Sequence, residues 1–240
     1  MSRTALITGA NKSIGLALAR ALGEQGVRVW LACRDAERGQ AAAAQLRDEG
    51  IDATALVLDV TNDASVAQAV AQVAAATPVL DVLVNNAGIH NDANLPPSQY
   101  PVDAMIETYQ TNVFGPVRVT QALLPLLKAS PAARIVMIGS GLGSLAYQSD
   151  PENPVYPINR LGYMTSKVAL SAVTLAFSRE LEALGIKVNA ADPGFVKSDF
   201  NGHRGTKSPV DAAAFIATLT DLPADGPTGG FFSATGPVPW

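Results

Sequence analysis

Tyr163 and Lys167 stand four residues apart in Leu161-Gly162-Tyr163-Met164-Thr165-Ser166-Lys167, at the head of an apolar run over 168–184 that reads as a helix. Residues four apart share a helix face, so the phenol and the ammonium stack. A free phenol has a pKa of about 10, and bringing it to neutrality takes about 4 kcal/mol. Two unit charges about 4 Å apart at an effective dielectric near 20 interact by about 4 kcal/mol. One lysine a turn away therefore supplies an effect of the needed size, and the chemistry is proton transfer by a tyrosine held near its working pKa. The same spacing also occurs in helices with no catalytic role, so the surroundings have to decide.

The elements that must position this pair follow an alternating pattern. Short aliphatic or β-branched runs predict strands over 4–8, 27–33, 53–59, 80–85, 134–139, 186–191 and 230–233. Longer periodic segments predict helices over 14–25, 36–49, 65–75, 102–130, 162–184 and 210–219. Such alternation implies an α/β fold with a parallel sheet. No linker or repeat interrupts it, so residues 1–240 read as one domain, with a cofactor half over roughly 1–135 and a catalytic and substrate half over 136–240. The irregular stretches 89–101, 141–160 and 194–208 each follow a strand's carboxyl end, the edge where ligands bind in open α/β sheets.

Composition limits the function. Apolar residues make up 48% of the 240 and charged residues 16%, which suits a large core covered on both faces. A net charge of -4 without a basic stripe gives no footprint for nucleic acid. Cys33 is the only cysteine, so no intramolecular disulfide or sulfur metal cage forms. Met1-Ser2-Arg3-Thr4 enters a strand directly, without a signal peptide, and no apolar run has bilayer length; a soluble cytoplasmic protein with no membrane partner is expected.

A glycine-bearing strand-to-helix turn, Thr8-Gly9-Ala10-Asn11-Lys12-Ser13-Ile14-Gly15, is a seat for a pyrophosphate on the first amides of a helix. Ser13 stands where the dinucleotide fingerprint has its middle glycine, and a plain tight turn would look alike. The second strand ends in neutral Cys33 followed by Arg34, where an NAD-binding protein places an acid. A guanidinium there, with Lys12, suits a 2′-phosphate and favours NADP over NAD. Both charges would also suit a solvated loop, and Asp35 beside Arg34 works against the assignment.

These motifs together resemble the short-chain dehydrogenase/reductases, from Thr4 to nearly the last residue. The resemblance rests on Thr8-Gly9 to Gly15, Asp59-Val60, Asn85-Asn86-Ala87-Gly88, Asn112, Gly139-Ser140, Tyr163 with Lys167, and Pro193-Gly194. It is nearest to NADPH-dependent carbonyl reductases, through Ala32-Cys33-Arg34-Asp35, Asp192-Pro193-Gly194-Phe195-Val196 and Gly229-Gly230-Phe231-Phe232. It implies a Rossmann-like doubly wound parallel sheet with helices on both faces, NADP(H) as cofactor, and reduction of a ketone or aldehyde. Tyr163 would protonate the substrate oxygen, Lys167 would lower its pKa and hold the nicotinamide ribose, and Ser140 would hydrogen-bond the carbonyl. Asn112 would hold a water that relays protons to the lysine, with a helix kink as the alternative. Gly9, Asn11, Lys12, Ser13, Ile14 and Gly15 would surround the pyrophosphate, and Arg34 the 2′-phosphate. Asp59 and Val60 would lie at the adenine. Asn86, Ala87, Gly88, Pro193, Gly194, Val196 and Ser198 would complete the cofactor site. Two departures stand out: Ser13, and an interval from Ser140 to Tyr163 longer than the family's commonest.

His90 and His203 lack a second ligand at metal spacing and read as surface or substrate-rim residues, so no metal is expected. Lys197, Arg204 and Lys207 form a basic lid, which keeps a 3-oxoacyl carrier-protein reductase open as an alternative. A non-catalytic NADP-binding redox sensor is the other, and it would predict a damaged catalytic set. The family resemblance implies a homo-oligomer, dimer or tetramer, built on the helix of Tyr163 and the 102–130 helix, with Ala169, Ala172, Val173 and Ala176 on the outer face. Pro151, Pro154 and Pro157 stiffen the inserted 141–160 segment into a loop expected to wall the substrate pocket with Tyr147 and Tyr156.

Overall fold

The computed structural model describes residues 2–91 and 95–240. Seven parallel strands are ordered β3-β2-β1-β4-β5-β6-β7: β1 (Thr4–Thr8), β2 (Arg28–Cys33), β3 (Ala53–Val57), β4 (Val82–Asn85), β5 (Arg134–Ile138), β6 (Lys187–Asp192) and β7 (Phe231–Ser233). A short β8 (Gly236–Pro237), which the sequence pattern missed, adds antiparallel to β7 at the edge. The strand order reverses between β1 and β4, and the carboxyl ends there open a crevice.

The inner strands β1, β4 and β5 are buried along their whole length, as a parallel sheet covered on both faces requires. Along β1 the side chains alternate: Ala5 and Ile7 join one cluster with α1 (Ser13–Glu24), α2 (Ala36–Asp48) and α8 (Pro209–Thr220). Leu6 joins the other, under α3 (Asp63–Ala76), α5 (Gly115–Lys128) and α7 (Leu161–Leu181). The parallel α/β sheet expected from the alternation is therefore present, doubly wound as the resemblance implied.

One predicted helix is not continuous. The 102–130 segment divides into α4 (Val102–Tyr109), a π turn (Gln110–Phe114) and α5. Pro116 has no N–H to give the carbonyl of Asn112, and the Gly115 amide donates to Gln110 five residues back. A Cβ on Gly115 would lie 2.8 Å from Val60 Cγ2, so only glycine lets this turn close on the β3 side. The 141–160 insertion is also not all loop: it holds a 3-10 turn (Gly141–Gly143) and α6 (Leu145–Ser149) before its prolines. Among the described residues no helix is long and apolar enough to cross a membrane.

Candidate active site

The turn from β1 to α1 is built for close approach. Gly9 has φ +65°, and a Cβ on Gly15 would fall within 2.8 Å of Ala10 Cα and Asn86 Nδ2. Ser13 takes φ +50°, the left-handed conformation its glycine counterpart would adopt freely, at a cost of about 1 kcal/mol. Among the described residues no side chain caps α1 and no acid lies in its first turn, so its leading amides face outward as an anion seat. Asn11, Lys12 and Arg38 line a cleft of about 360 Å³ beside it. Ile14 is half-buried and packs on the α1 side of the core.

The Asn-Asn-Ala-Gly run is a staple as well as a turn. Asn86 Nδ2 donates to the carbonyls of Thr8 (2.8 Å) and Gly9 (3.2 Å), and the amides of Asn86 and Ala87 both donate to Thr8 Oγ1 at 3.0 Å. The phosphate loop and the end of β4 are thereby locked in one geometry. Asp59 folds its carboxylate onto the Thr61 amide and hydroxyl. Val60 turns its side chain to the core beneath Gly115, leaving only backbone for a ligand.

Lys167 is buried at the centre of the site. Its ammonium donates to the Ile138 carbonyl at 2.7 Å and lies 5.5 Å from the centre of the Tyr163 ring. Among the described residues it has no carboxylate partner, and burial lowers its pKa from 10.5 to about 8. Gly88 passes close by: a Cβ there would be 3.8 Å from Lys167 Nζ and 3.5 Å from Asn112 Oδ1. Asn112, fully buried inside the π turn, accepts from the Ile89 amide and donates to the Ile89 carbonyl, both at 2.9 Å. It also donates to Ser166 Oγ at 3.0 Å, and the Ser166 hydroxyl donates to the Tyr163 carbonyl at 2.7 Å. Asn112 thus braces the loop after β4 against α7, and the kink and the site are one feature. Ser140 Oγ accepts from the Leu142 amide, which leaves its hydroxyl proton free to point at a ligand.

The roof comes from the 194–207 segment. Phe200 sets its ring edge-on to Tyr163 at 5.5 Å and to His90 at 4.5 Å, and His90 Nε2 donates to the Phe200 carbonyl. Asp199 pairs with Lys12 at 2.8 Å and His203 at 2.9 Å, tying this segment to the phosphate loop. Gly194 has φ +75° and is covered by the stem of Lys207. Ser198 turns its hydroxyl back to the Val196 carbonyl, and Val196 itself is buried. Phe195 and Phe200 remain 52% and 40% exposed on the rim.

With this geometry in place, a family model for the short chain dehydrogenase matches residues 3–208. The chain belongs to that family. It is 31% identical to (-)-isopiperitenone reductase of Mentha piperita over 97% of this chain and 96% of that protein. To (+)-neomenthol dehydrogenase of Arabidopsis thaliana it is 33% identical, over 96% of each. NADPH-bound carbonyl reductase from chicken fatty liver superposes with a TM-score of 0.87 at 29% identity, covering 100% of this chain and 99% of that one. The protein is an oxidoreductase of the short-chain dehydrogenase family.

Against that family reading, the structure redistributes several residues of this short-chain dehydrogenase. Lys12 is engaged by Asp199, whereas Arg34 is exposed and makes no side-chain bond among the described residues. Asp35, which counted against a phosphate site, is spent on capping α2 through the Arg38 amide and on the Arg38 guanidinium at 3.3 Å. His90 lies on the rim and His203 on the surface beside Asp199. Tyr156 is exposed, while Tyr147 is half-buried and packs against the cluster of Ala190, Phe231 and Val238. Arg38, Ser166, Asp199 and Phe200 were not singled out by sequence reasoning. Only Ser166 had a signal: a serine inside a helix, turned back on a carbonyl of the preceding turn.

Proposed function

We propose that this enzyme reduces a ketone or aldehyde carbonyl with NADPH. The observation that carries the reading is the buried Lys167 ammonium, without a carboxylate, 5.5 Å from the ring of Tyr163 in the crevice where β1 and β4 diverge. A buried cation left uncompensated is costly for stability and is expected where a site uses it. The uncapped α1 terminus, the Gly9–Gly15 approach and Gly88 at the lysine suit the pyrophosphate and nicotinamide ribose of a dinucleotide. Arg34 and Arg38 suit a 2′-phosphate. When bound, NADPH supplies the hydride.

The chain's own residues do the rest. Tyr163 gives its phenolic proton to the carbonyl oxygen as negative charge develops there. Lys167 keeps the phenol acidic, and its two remaining N–H donors are available to the ribose. Ser140, its acceptor side already used by Leu142, donates to the same carbonyl oxygen. Asn112 holds the Gly88–Ile89 backbone in place and keeps a lone pair on Oδ1 for a water that resupplies Lys167. The apolar rim of Phe195, Phe200 and Tyr156 supports an uncharged, apolar carbonyl compound over a carrier-protein thioester. Soluble cytoplasmic location and a homo-oligomer complete the reading; Ala172 and Ala176 on α7, Ile106 on α4 and Phe114 in the π turn are exposed apolar residues suited to contact with a second copy.

The test is a panel of ketones and aldehydes assayed with NADPH and NADH, on the native chain and on Tyr163→Phe. The variant should bind NADPH normally and lose about a thousandfold or more in kcat. Turnover within tenfold of the native enzyme would remove Tyr163 as the proton donor.

A further inference from the structure

The last residues of the chain are tied to the active site through the insertion. Trp240 stacks on Phe231 with ring centres 5.3 Å apart and 24° between planes. Val238 is buried, and its amide donates to the Phe231 carbonyl at 2.8 Å. From there the chain crosses α6: Ser144 Oγ, fully buried, donates to the Pro239 carbonyl at 2.6 Å, and the Ala146 amide donates to the Trp240 carbonyl at 3.2 Å. Ser144 also caps α6 by accepting from the Tyr147 amide at 3.1 Å, and the Tyr147 ring enters the cluster with Trp240.

On its other side this segment presses on the catalytic helix. A Cβ on Gly143 would lie 2.9 Å from Lys167 Cβ and 3.0 Å from the Lys167 carbonyl. Gln148 Nε2 donates to the Leu142 carbonyl, and the Leu142 amide donates to Ser140 Oγ. An unbroken series of contacts thus runs from Trp240 through Ser144 and α6 to the turn that presents Ser140. A five-residue helix has too few internal hydrogen bonds to hold itself, so its position is set by what covers it.

We propose that Trp240 is a positioning residue for the carbonyl site: stacked on Phe231, it holds residues 238–240 across α6 and so fixes the 140–149 wall against the helix of Tyr163 and Lys167. The proposal rests on the carbonyl-reduction reading above. It accounts for Tyr147 turning inward, because the wall is shaped from behind by the tail.

Trp240→Ala, Trp240→Phe and Ser144→Ala test it, with cyclohexanone and a bulky bicyclic ketone as substrates. In Trp240→Ala the KM for the bulky ketone should rise about tenfold, with kcat and NADPH affinity within about threefold of native. The ratio of kcat/KM between the two ketones should shift at least about fivefold, and Trp240→Phe, which keeps the stack, should restore it. Ser144→Ala leaves the stack intact but frees the tail carbonyl, and should move the ratio in the same direction by a smaller factor. Hydrogen exchange of the 141–149 amides should quicken about tenfold or more in Trp240→Ala while those of α1 do not change. An unchanged ketone ratio in the folded variants, or unchanged exchange over 141–149, overturns the proposal. So does a uniform loss toward both ketones and NADPH, which marks plain destabilisation. If the native enzyme reduces neither ketones nor aldehydes, the proposed function falls and this role falls with it; a native enzyme that reduces ketones with an unmoved ratio leaves the function standing and overturns this role.

Discussion

The floor and the roof of the crevice are held by different physics. On the floor, Lys167, Asn112 and Ser166 are buried and bonded to backbone groups of β5, the loop after β4 and α7. On the roof, Asp199 forms an exposed ion pair with Lys12 and an exposed contact with His203, and Phe200 leans on Tyr163 by one ring edge. A buried polar group left without its partner costs about 1–3 kcal/mol or more, while an exposed pair is worth about 0–1 kcal/mol. The floor is therefore a fixed geometry and the roof an adjustable one. The side proposed to perform the chemistry is preorganised, and the side facing it across the crevice is held lightly.

The largest effect expected from this contrast is at Lys167. Lys167→Met, similar in length and apolar, should reduce kcat by about a hundredfold or more. The same variant should reveal the burial cost. Below about pH 8 both folded and unfolded chains carry the proton, so the cost of burying the charge is fully present. Between about 8 and 10.5 the folded chain releases a proton that the unfolded chain keeps, so stability rises with pH through that window. The full rise is about 3 kcal/mol. Urea unfolding at pH 7 and pH 9.5 should show the native chain gaining on Lys167→Met as pH rises; parallel slopes would mean the floor is not buried as described.

An intermediate effect is expected at the edge of the phosphate loop. Arg34→Ala should lower the preference for NADPH over NADH by about tenfold, the size of one charge-assisted hydrogen bond. Equal kcat/KM ratios in the two proteins would remove Arg34 from the cofactor site. The smallest effect belongs to the roof. Asp199→Asn should change the KM for NADPH by less than about threefold, and downward, because it frees Lys12. A change of tenfold or more would make the roof as rigid as the floor and end the comparison.

The sheet and its helices were legible because period-2 and period-3.6 patterns are local. The pairing of Tyr163 with Lys167 and the close Gly9–Gly15 turn were legible for the same reason: short fixed spacings set both. The break at 110–114 was also written locally, in Gly115-Pro116, but an apolar periodicity running through it hid the signal. The partners of Lys12 and Tyr147 were not legible. Asp199 lies far along the chain from Lys12, and Phe231 and Val238 from Tyr147, and no spacing rule links them. Asp35 misled because a carboxylate next to Arg34 reads as a competing charge until its role as the cap of α2 is seen.

The π turn also sets a phase. One additional residue in a helical turn rotates everything beyond it by about 100°. The α4 segment, ahead of the turn, lies along α7, and α5, behind it, lies along α3. One rod thus offers two faces that a regular helix of the same composition would keep in line. Removing a residue from 110–114 would tidy the hydrogen bonding and turn one of those faces away from its neighbour, with Asn112 at the seam.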